Sequence, residues 1–170
     1  GRYLAEAGIK FTVFMPHDAC EDTVKAIRSY GQNVVVCDGN YGDAKKEAAD
    51  FHQKNHVLIS AGNIDPIRVE AKKTMVFEYL RQLGKMPDVY VQAVAGGTGP
   101  IALDKGVRDM QTTFPETKMP RMLLIQQDTC DPMVQGWNKA VAAGFPEGYE
   151  KDYPIIPNPQ TMVSILSAGN

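Results

Sequence analysis

Hydrophobic positions along this chain switch repeatedly between a period of two and a period near 3.6. The run "IKFTVFMP" (residues 9–16) is short, apolar and ended by proline, which predicts a strand. Asp18 with Glu21 three residues later reads as a capping-box start for a helix to Tyr30, with Val24 and Ile27 inward and Gly31 just past its end. "NVVVCDG" (33–39) predicts a second strand, and "YGDAKKEAADFHQKN" (41–55) a helix with Ala44, Ala48 and Phe51 on one face. "HVLIS" (56–60) predicts a third strand opening into the loop "AGNIDP". Pro66 then begins a helix to about Leu83, striped by Ala71, Met75, Tyr79, Val76 and Leu80 and ended by Gly84. "DVYVQAVA" is a strand, a glycine loop follows, and a helix runs from Pro100 to about Thr112. "RMLLIQQ" (121–127) is a further strand and "DPMVQGWNKAVAAG" a further helix, after which residues 145–160 are proline-rich and irregular.

Strands alternating with helices of this length define βαβ units. The expected fold is α/β, a mainly parallel sheet with helices on both faces in three αβα layers. In such sheets ligands meet the loops at the C-terminal ends of strands, here "AGNIDP", "AGGTGP" and "DTCDP". The chain carries no internal repeat or low-complexity tract. "GRYLAEAG" reads as the last turns of a helix and "SILSAGN" stops on a turn signal, so the chain is expected to be a fragment of something larger.

Composition narrows the classes. Eighteen basic against 20 acidic residues give a net charge of -2, without the basic excess of a nucleic-acid binder. No apolar run is long enough for a membrane span, and no targeting signal stands at the start. Cys20, Cys37 and Cys130 form no C-x-x-C pair, and His17, His52 and His56 form no ligand spacing. The expectation is therefore a cytoplasmic protein without a metal site.

Two loops carry candidate chemistry. In "AGGTGP", Gly96, Gly97 and Gly99 leave the backbone bare, Thr98 adds a hydroxyl and Pro100 sets up the helix. Free N–H groups and the positive end of a helix dipole would then converge on one point, an anion site suited to phosphate. Neither a Walker pattern nor a G-x-G-x-x-G fingerprint is present, so a tight turn with nothing bound also fits this loop by itself. In "SAGNIDPIRVEAKKT", Asn63 and Arg68 flank a helix start, and an arginine fork matches phosphate or carboxylate oxygens. An ordinary N-cap Asp65 beside a surface arginine is the alternative there.

Together these segments resemble a known family. "SAGNIDPIRVEAKKTMVFEYLRQLG", "DVYVQAVAGGTGPIALDKG" and "PRMLLIQQDTCDPMV", in that order, are similar to the threonine synthase family of pyridoxal-phosphate enzymes, and "GIKFTVFMPHDACEDTVKAIRSYGQNVVVCDGNYGDA" is similar to its smaller lobe. The resemblance implies the two-lobed fold type II, with residues 1–55 in the smaller lobe and 56–170 in the larger, both incomplete. It implies pyridoxal 5'-phosphate as cofactor, its phosphate held by Gly96, Gly97, Thr98 and Gly99. It implies a small phosphorylated amino acid as substrate, its phosphate held by Asn63 and Arg68. The loop departs from the family's usual G-N-x-G-N, and Gly62-Asn63 replaces an Asn-Ser pair.

The reaction implied is phosphate elimination from O-phosphohomoserine with addition of water, giving threonine. Cysteate synthases, which use O-phosphoserine and sulfite, are the alternative. The family's Schiff-base lysine lies in a motif upstream of Gly1, so no catalytic residue is expected in this chain, which alone should be inactive. Lys72, Lys73 and Lys105 read as ordinary helix lysines. A homodimer is the family's common assembly. A nucleotide-binding module would reuse the glycine loop and needs an acidic residue about 20 positions on, where Glu116 stands; a remnant that binds nothing is the third class.

Overall fold

Residues 1–60, 65–156, 159 and 162 are described by the structure, a computed structural model. The chain divides into two compact units, Gly1–Ser60 and Ala61–Asn170.

The first unit is built on one parallel strand pair. Strands β1 (Thr12–Met15) and β2 (Asn33–Val36) pair from Thr12↔Asn33 to Met15↔Val36. Parallel strands need a crossover, and α2 (Glu21–Ser29) supplies it. Helix α1 (Arg2–Glu6) precedes them. Helix α3 (Tyr41–Asn55) packs on β1, with the Phe14 and Phe51 rings 5.4 Å apart. Gln32, 5% exposed, holds the entry to β1: its oxygen accepts from the Phe11 N–H at 2.8 Å and its amide donates to the Ile9 carbonyl at 3.1 Å.

Two local expectations for this unit are corrected. The capping box at Asp18 and Glu21 does not form; Cys20 is the N-cap of α2 and makes no side-chain cap bond. The capping box belongs to α3, where Asn40 accepts from the Gly42 and Asp43 N–H groups and Asp43 accepts from the Asn40 N–H. Residues 57–60 form no strand: the apolar run has no neighbouring strand among the described residues, and Leu58 is 99% exposed. β-propensity without a partner does not make a ladder.

The second unit repeats the parallel theme. Helices α4 (Pro66–Lys72) and α5 (Thr74–Leu83) lead to β3 (Val89–Ala93), α6 (Thr98–Gln111), β4 (Arg121–Ile125) and α7 (Pro132–Ala142), with a 3₁₀ turn at Tyr149–Lys151. β3 and β4 pair in parallel from Val89↔Arg121 to Ala93↔Ile125. Val76, Met86, Tyr90, Leu103 and Val107 form the core, so α5 and α6 cover the face of β3 that carries Tyr90. The α/β reading holds.

The helix expected from Pro66 to Leu83 is broken at Lys73. There the Lys73 carbonyl accepts from Val76 N–H at 2.9 Å, an i→i+3 bond, and the Thr74 hydroxyl donates back to the Ala71 carbonyl at 2.7 Å. Helix α6 approaches this break through Gly106, where a Cβ would stand 2.8 Å from Val76 Cγ2 and 3.1 Å from the Lys73 carbonyl oxygen. Gly106→Ala overpacks that contact and is expected to destabilise the protein by about 1–3 kcal/mol. A drop in the urea midpoint checks it; an unchanged midpoint would mean that α6 can move away from α5 at no cost.

Candidate functional site

Because β3 and β4 are parallel, the chain leaves both at the same edge of the sheet, and two loops meet there. The bond from Val94 N–H to the Ile125 carbonyl, 2.9 Å, carries the pairing past the last strand residues into those loops.

The first loop, Ala95–Gly97, feeds α6. Gly97 is the N-cap, in the left-handed region at φ 73°, which glycine adopts without strain. The helix begins at Thr98, two residues before the expected Pro100. Ile101 N–H makes the first intrahelical bond, to the Gly97 carbonyl at 3.2 Å. Pro100 thus sits in the first turn, where a helix has no intrahelical use for an N–H. Thr98, Gly99 and Pro100 are buried, Thr98 at 5% exposure.

Gly99 has a more specific reason to lack a side chain. A Cβ there would collide with the amide of Gln92, which reaches across from β3 and accepts a hydrogen bond from the Tyr90 hydroxyl. A Cβ at Gly97 would press on Met133 Cε at 3.4 Å. The bare backbone therefore accommodates the protein's own side chains.

The second loop runs from β4 to α7. The N-cap residue Asp131 makes no side-chain cap bond. Gln126 does the capping: its Oε1 accepts from Met133 N–H at 3.0 Å and Val134 N–H at 3.3 Å. Gln127 Oε1 accepts from Met162 N–H at 3.1 Å. Both amide nitrogens, Gln126 Nε2 and Gln127 Nε2, are buried and have no hydrogen-bond partner among the described residues. Cys130 is buried beside this turn, and burial raises its thiol pKa.

Arg68 stands in the first turn of α4, half-buried, and Asp65 caps that helix by accepting from Ile67 N–H at 3.0 Å. Asn63 lies outside the described residues. Helix α4 packs on α6. A four-membered ion network joins them: Lys73 pairs with Asp109 at 2.8 Å and with Glu70, and Lys105 pairs with Glu70 and Asp109, each at 3.2 Å. Glu70 with Lys105 and Lys73 with Asp109 advance in the same order along both helices. The two helices therefore run in the same sense, and the start of α4 with Arg68 points toward the end of α6 that holds the glycine loop. The sequence singled out the glycines and Arg68 as candidates and passed over Gln92, Gln126 and Gln127, which the structure brings to the same sheet edge. The signal was there: these are polar residues in or directly after otherwise apolar strands.

A helix N-terminus preceded by a left-handed glycine stands at this edge, and the Gln126 and Gln127 amides lie in the neighbouring loop. Glu116, the carboxylate a ribose would need, lies in a turn before β4 and not at a strand end. A parallel α/β unit with a glycine loop between strand and helix is the architecture of the fold type II pyridoxal-phosphate enzymes. The chain is similar to the crystal structure of a fungal L-serine ammonia-lyase from Rhizomucor miehei, with a TM-score of 0.74 at 17% identity over 97% of this chain and 47% of that one. The chain belongs to the pyridoxal-phosphate dependent enzyme family, whose sequence profile matches residues 2–167. It is 28% identical over 171 residues to the threonine synthase of Methanocaldococcus jannaschii, covering 99% of this chain and 40% of that protein. It is also 28% identical over 150 residues to the cysteate synthase of Methanothrix thermoacetophila, covering 80% of this chain and 36% of that protein. The chain thus spans about two fifths of the length of these relatives. Among the described residues no helix is long and apolar enough to cross a membrane.

The ion network sets a pH dependence. Hydrogen bonds from Lys73, then from Lys105, hold the Glu70 and Asp109 carboxyls below their ordinary values of 4.5 and 3.8. A carboxyl with a lowered folded-state pKa contributes stability above its ordinary pKa and loses it as pH falls through the lowered value. The gap in Tm between wild type and Lys73→Met is therefore expected to be constant between pH 4.5 and the ordinary lysine value of 10.5 and to shrink below pH 4.5. A gap independent of pH would show that Lys73 acts through its packing alone.

Proposed function

We propose that the whole protein is a pyridoxal-phosphate-dependent threonine synthase, releasing phosphate from O-phosphohomoserine and adding water to give threonine. The observation that supports this reading is the packing of α4 on α6, with Glu70 paired to Lys105 and Lys73 to Asp109, which puts the helix that begins beside Arg68 against the helix that follows the glycine loop. A reaction with a phosphorylated cofactor and a phosphorylated substrate needs two phosphate sites close together, and the glycine loop and Arg68 are the two candidates.

In this reading Gly96, Gly97, Thr98 and Gly99 hold the cofactor phosphate, through backbone N–H groups at the positive end of α6. The cofactor, when bound, supplies the electron sink that lets a bond at the substrate α-carbon break. Arg68 grips the substrate phosphate in a bidentate fork and balances its charge as it leaves; Asn63 adds an amide donor. Lys73 and Lys105 are committed to Glu70 and Asp109. This argues against either of them as the Schiff-base lysine. The family's two lobes map onto residues 1–55 and 56–170, with a homodimer in the cytoplasm as the working assembly. Cysteate synthesis from O-phosphoserine and sulfite is the second reading, supported by the equal identity to the archaeal cysteate synthase. Coverage of 99% of this chain against 80% favours threonine synthase.

The test uses the full-length protein loaded with pyridoxal 5'-phosphate. Phosphate and threonine are expected from O-phosphohomoserine, and no phosphate from O-phosphoserine with sulfite. Arg68→Ala should raise KM by about 10- to 100-fold, the worth of hydrogen bonds to a charged group. Phosphate release from O-phosphoserine alone would select the cysteate reading, and a cofactor-loaded protein that releases phosphate from neither would overturn both.

A further inference from the structure

Gln126 is a hydrogen-bond donor in search of an acceptor. Its orientation is fixed, because Oε1 already accepts from two backbone N–H groups at the start of α7, Met133 at 3.0 Å and Val134 at 3.3 Å. The other end of the amide is then an NH₂ group, and Nε2 is buried with no partner. A buried donor left unmade costs about 1–3 kcal/mol, and native folds tolerate few of them. An apolar side chain of similar shape would avoid that cost but lose the cap on α7. Retaining an amide here makes sense if the free N–H groups meet an acceptor in the working protein.

The surroundings place this amide beside the glycine loop. Gln126 follows directly on Ile125, which pairs with Ala93 at the end of β3, two residues before the glycine loop begins. The same Met133 whose N–H bonds to Gln126 lays its methyl group against Gly97, 3.4 Å from where a Cβ would stand. One residue thus bridges the amide and the loop. We propose that the Gln126 amide donates to an oxygen of the phosphate monoester held at Gly96–Gly99, making it a ligand-binding residue supplied by a second loop. This rests on the reading of the glycine loop given above. An amide donor is neutral, so it adds a hydrogen bond to the phosphate without adding a second positive charge beside Arg68.

The test is a binding titration of the full-length protein, stripped of cofactor, with pyridoxal 5'-phosphate, and with pyridoxal as the phosphate-free control. Two variants separate the roles of the side chain. Gln126→Glu keeps an oxygen on the α7 N–H groups and removes the donor; Gln126→Met removes donor and cap without adding charge. Both are expected to raise the Kd for pyridoxal 5'-phosphate about tenfold or more and to leave the Kd for pyridoxal nearly unchanged. Only Gln126→Met should also lower Tm. If the cofactor Kd stays put and the Kd of the loaded protein for O-phosphohomoserine rises instead, the phosphate contacted is the substrate's, and the assignment to Gly96–Gly99 is overturned. If wild type binds pyridoxal 5'-phosphate and neither variant changes any Kd, Gln126 is a helix cap only. A wild type that binds no pyridoxal 5'-phosphate removes the reading of the loop itself, and this inference with it.

Discussion

The parallel pairing of β3 with β4 is the constraint on which the candidate site depends. Five residue pairs, from Val89↔Arg121 to Ala93↔Ile125, fix the register, and Val94 N–H extends it by one bond. Antiparallel strands would send their exits to opposite edges; parallel strands send both to one edge. The glycine loop and the Gln126 turn are neighbours for that reason, although they are about 30 residues apart in sequence. Helices α6 and α7 then start from the same edge. Close approach of α6 to the α4–α5 break, through Gly106, and the Glu70–Lys73–Lys105–Asp109 network bring α4 into the same frame.

Much of this was legible in the sequence, because apolar periodicity and turn chemistry are local. The helix at Tyr41–Asn55, the left-handed Gly84 that ends α5 and the strand–glycine–helix passage at residues 89–111 all follow from patterns a few residues wide. What was missed depended on non-local partners. "HVLIS" has the composition of a strand, but a strand is defined by its neighbour, and residues 57–60 have none among the described residues. Lys73 lies in an unbroken helical pattern; the break comes from a Thr74 hydroxyl and the arrival of α6, some 30 residues later in the chain.

The glycines teach a sharper lesson. Sequence reading takes a triple-glycine loop as backbone bared for a ligand, and it has one explanation for all three. The structure separates them. Gly97 is glycine because its backbone is left-handed, and Gly99 because Gln92 fills the space a Cβ would need. A loop can thus be glycine-rich for reasons internal to the fold and still end with its N–H groups at the mouth of a helix. Glycine content is evidence of close approach, and the identity of what approaches has to be read from the neighbours.

The polar residues around the sheet edge complete the argument. Gln92, Gln126 and Gln127 interrupt or directly follow apolar strands, where an uncharged amide costs free energy unless each end is bonded. For Gln92 a partner is in place, the Tyr90 hydroxyl. For Gln126 the oxygen end alone is satisfied, and it holds α7 in position while the nitrogen end waits. Lys73, between α4 and α5, and Lys105 of α6 are drawn into pairs with Glu70 and Asp109. In the proposed reading a cofactor phosphate at this edge would be held chiefly by backbone N–H groups, a helix dipole and an amide, and Arg68 of α4 would meet the substrate phosphate. That division suits the proposed chemistry: neutral donors retain a group that must stay, and a cationic fork serves one that must leave.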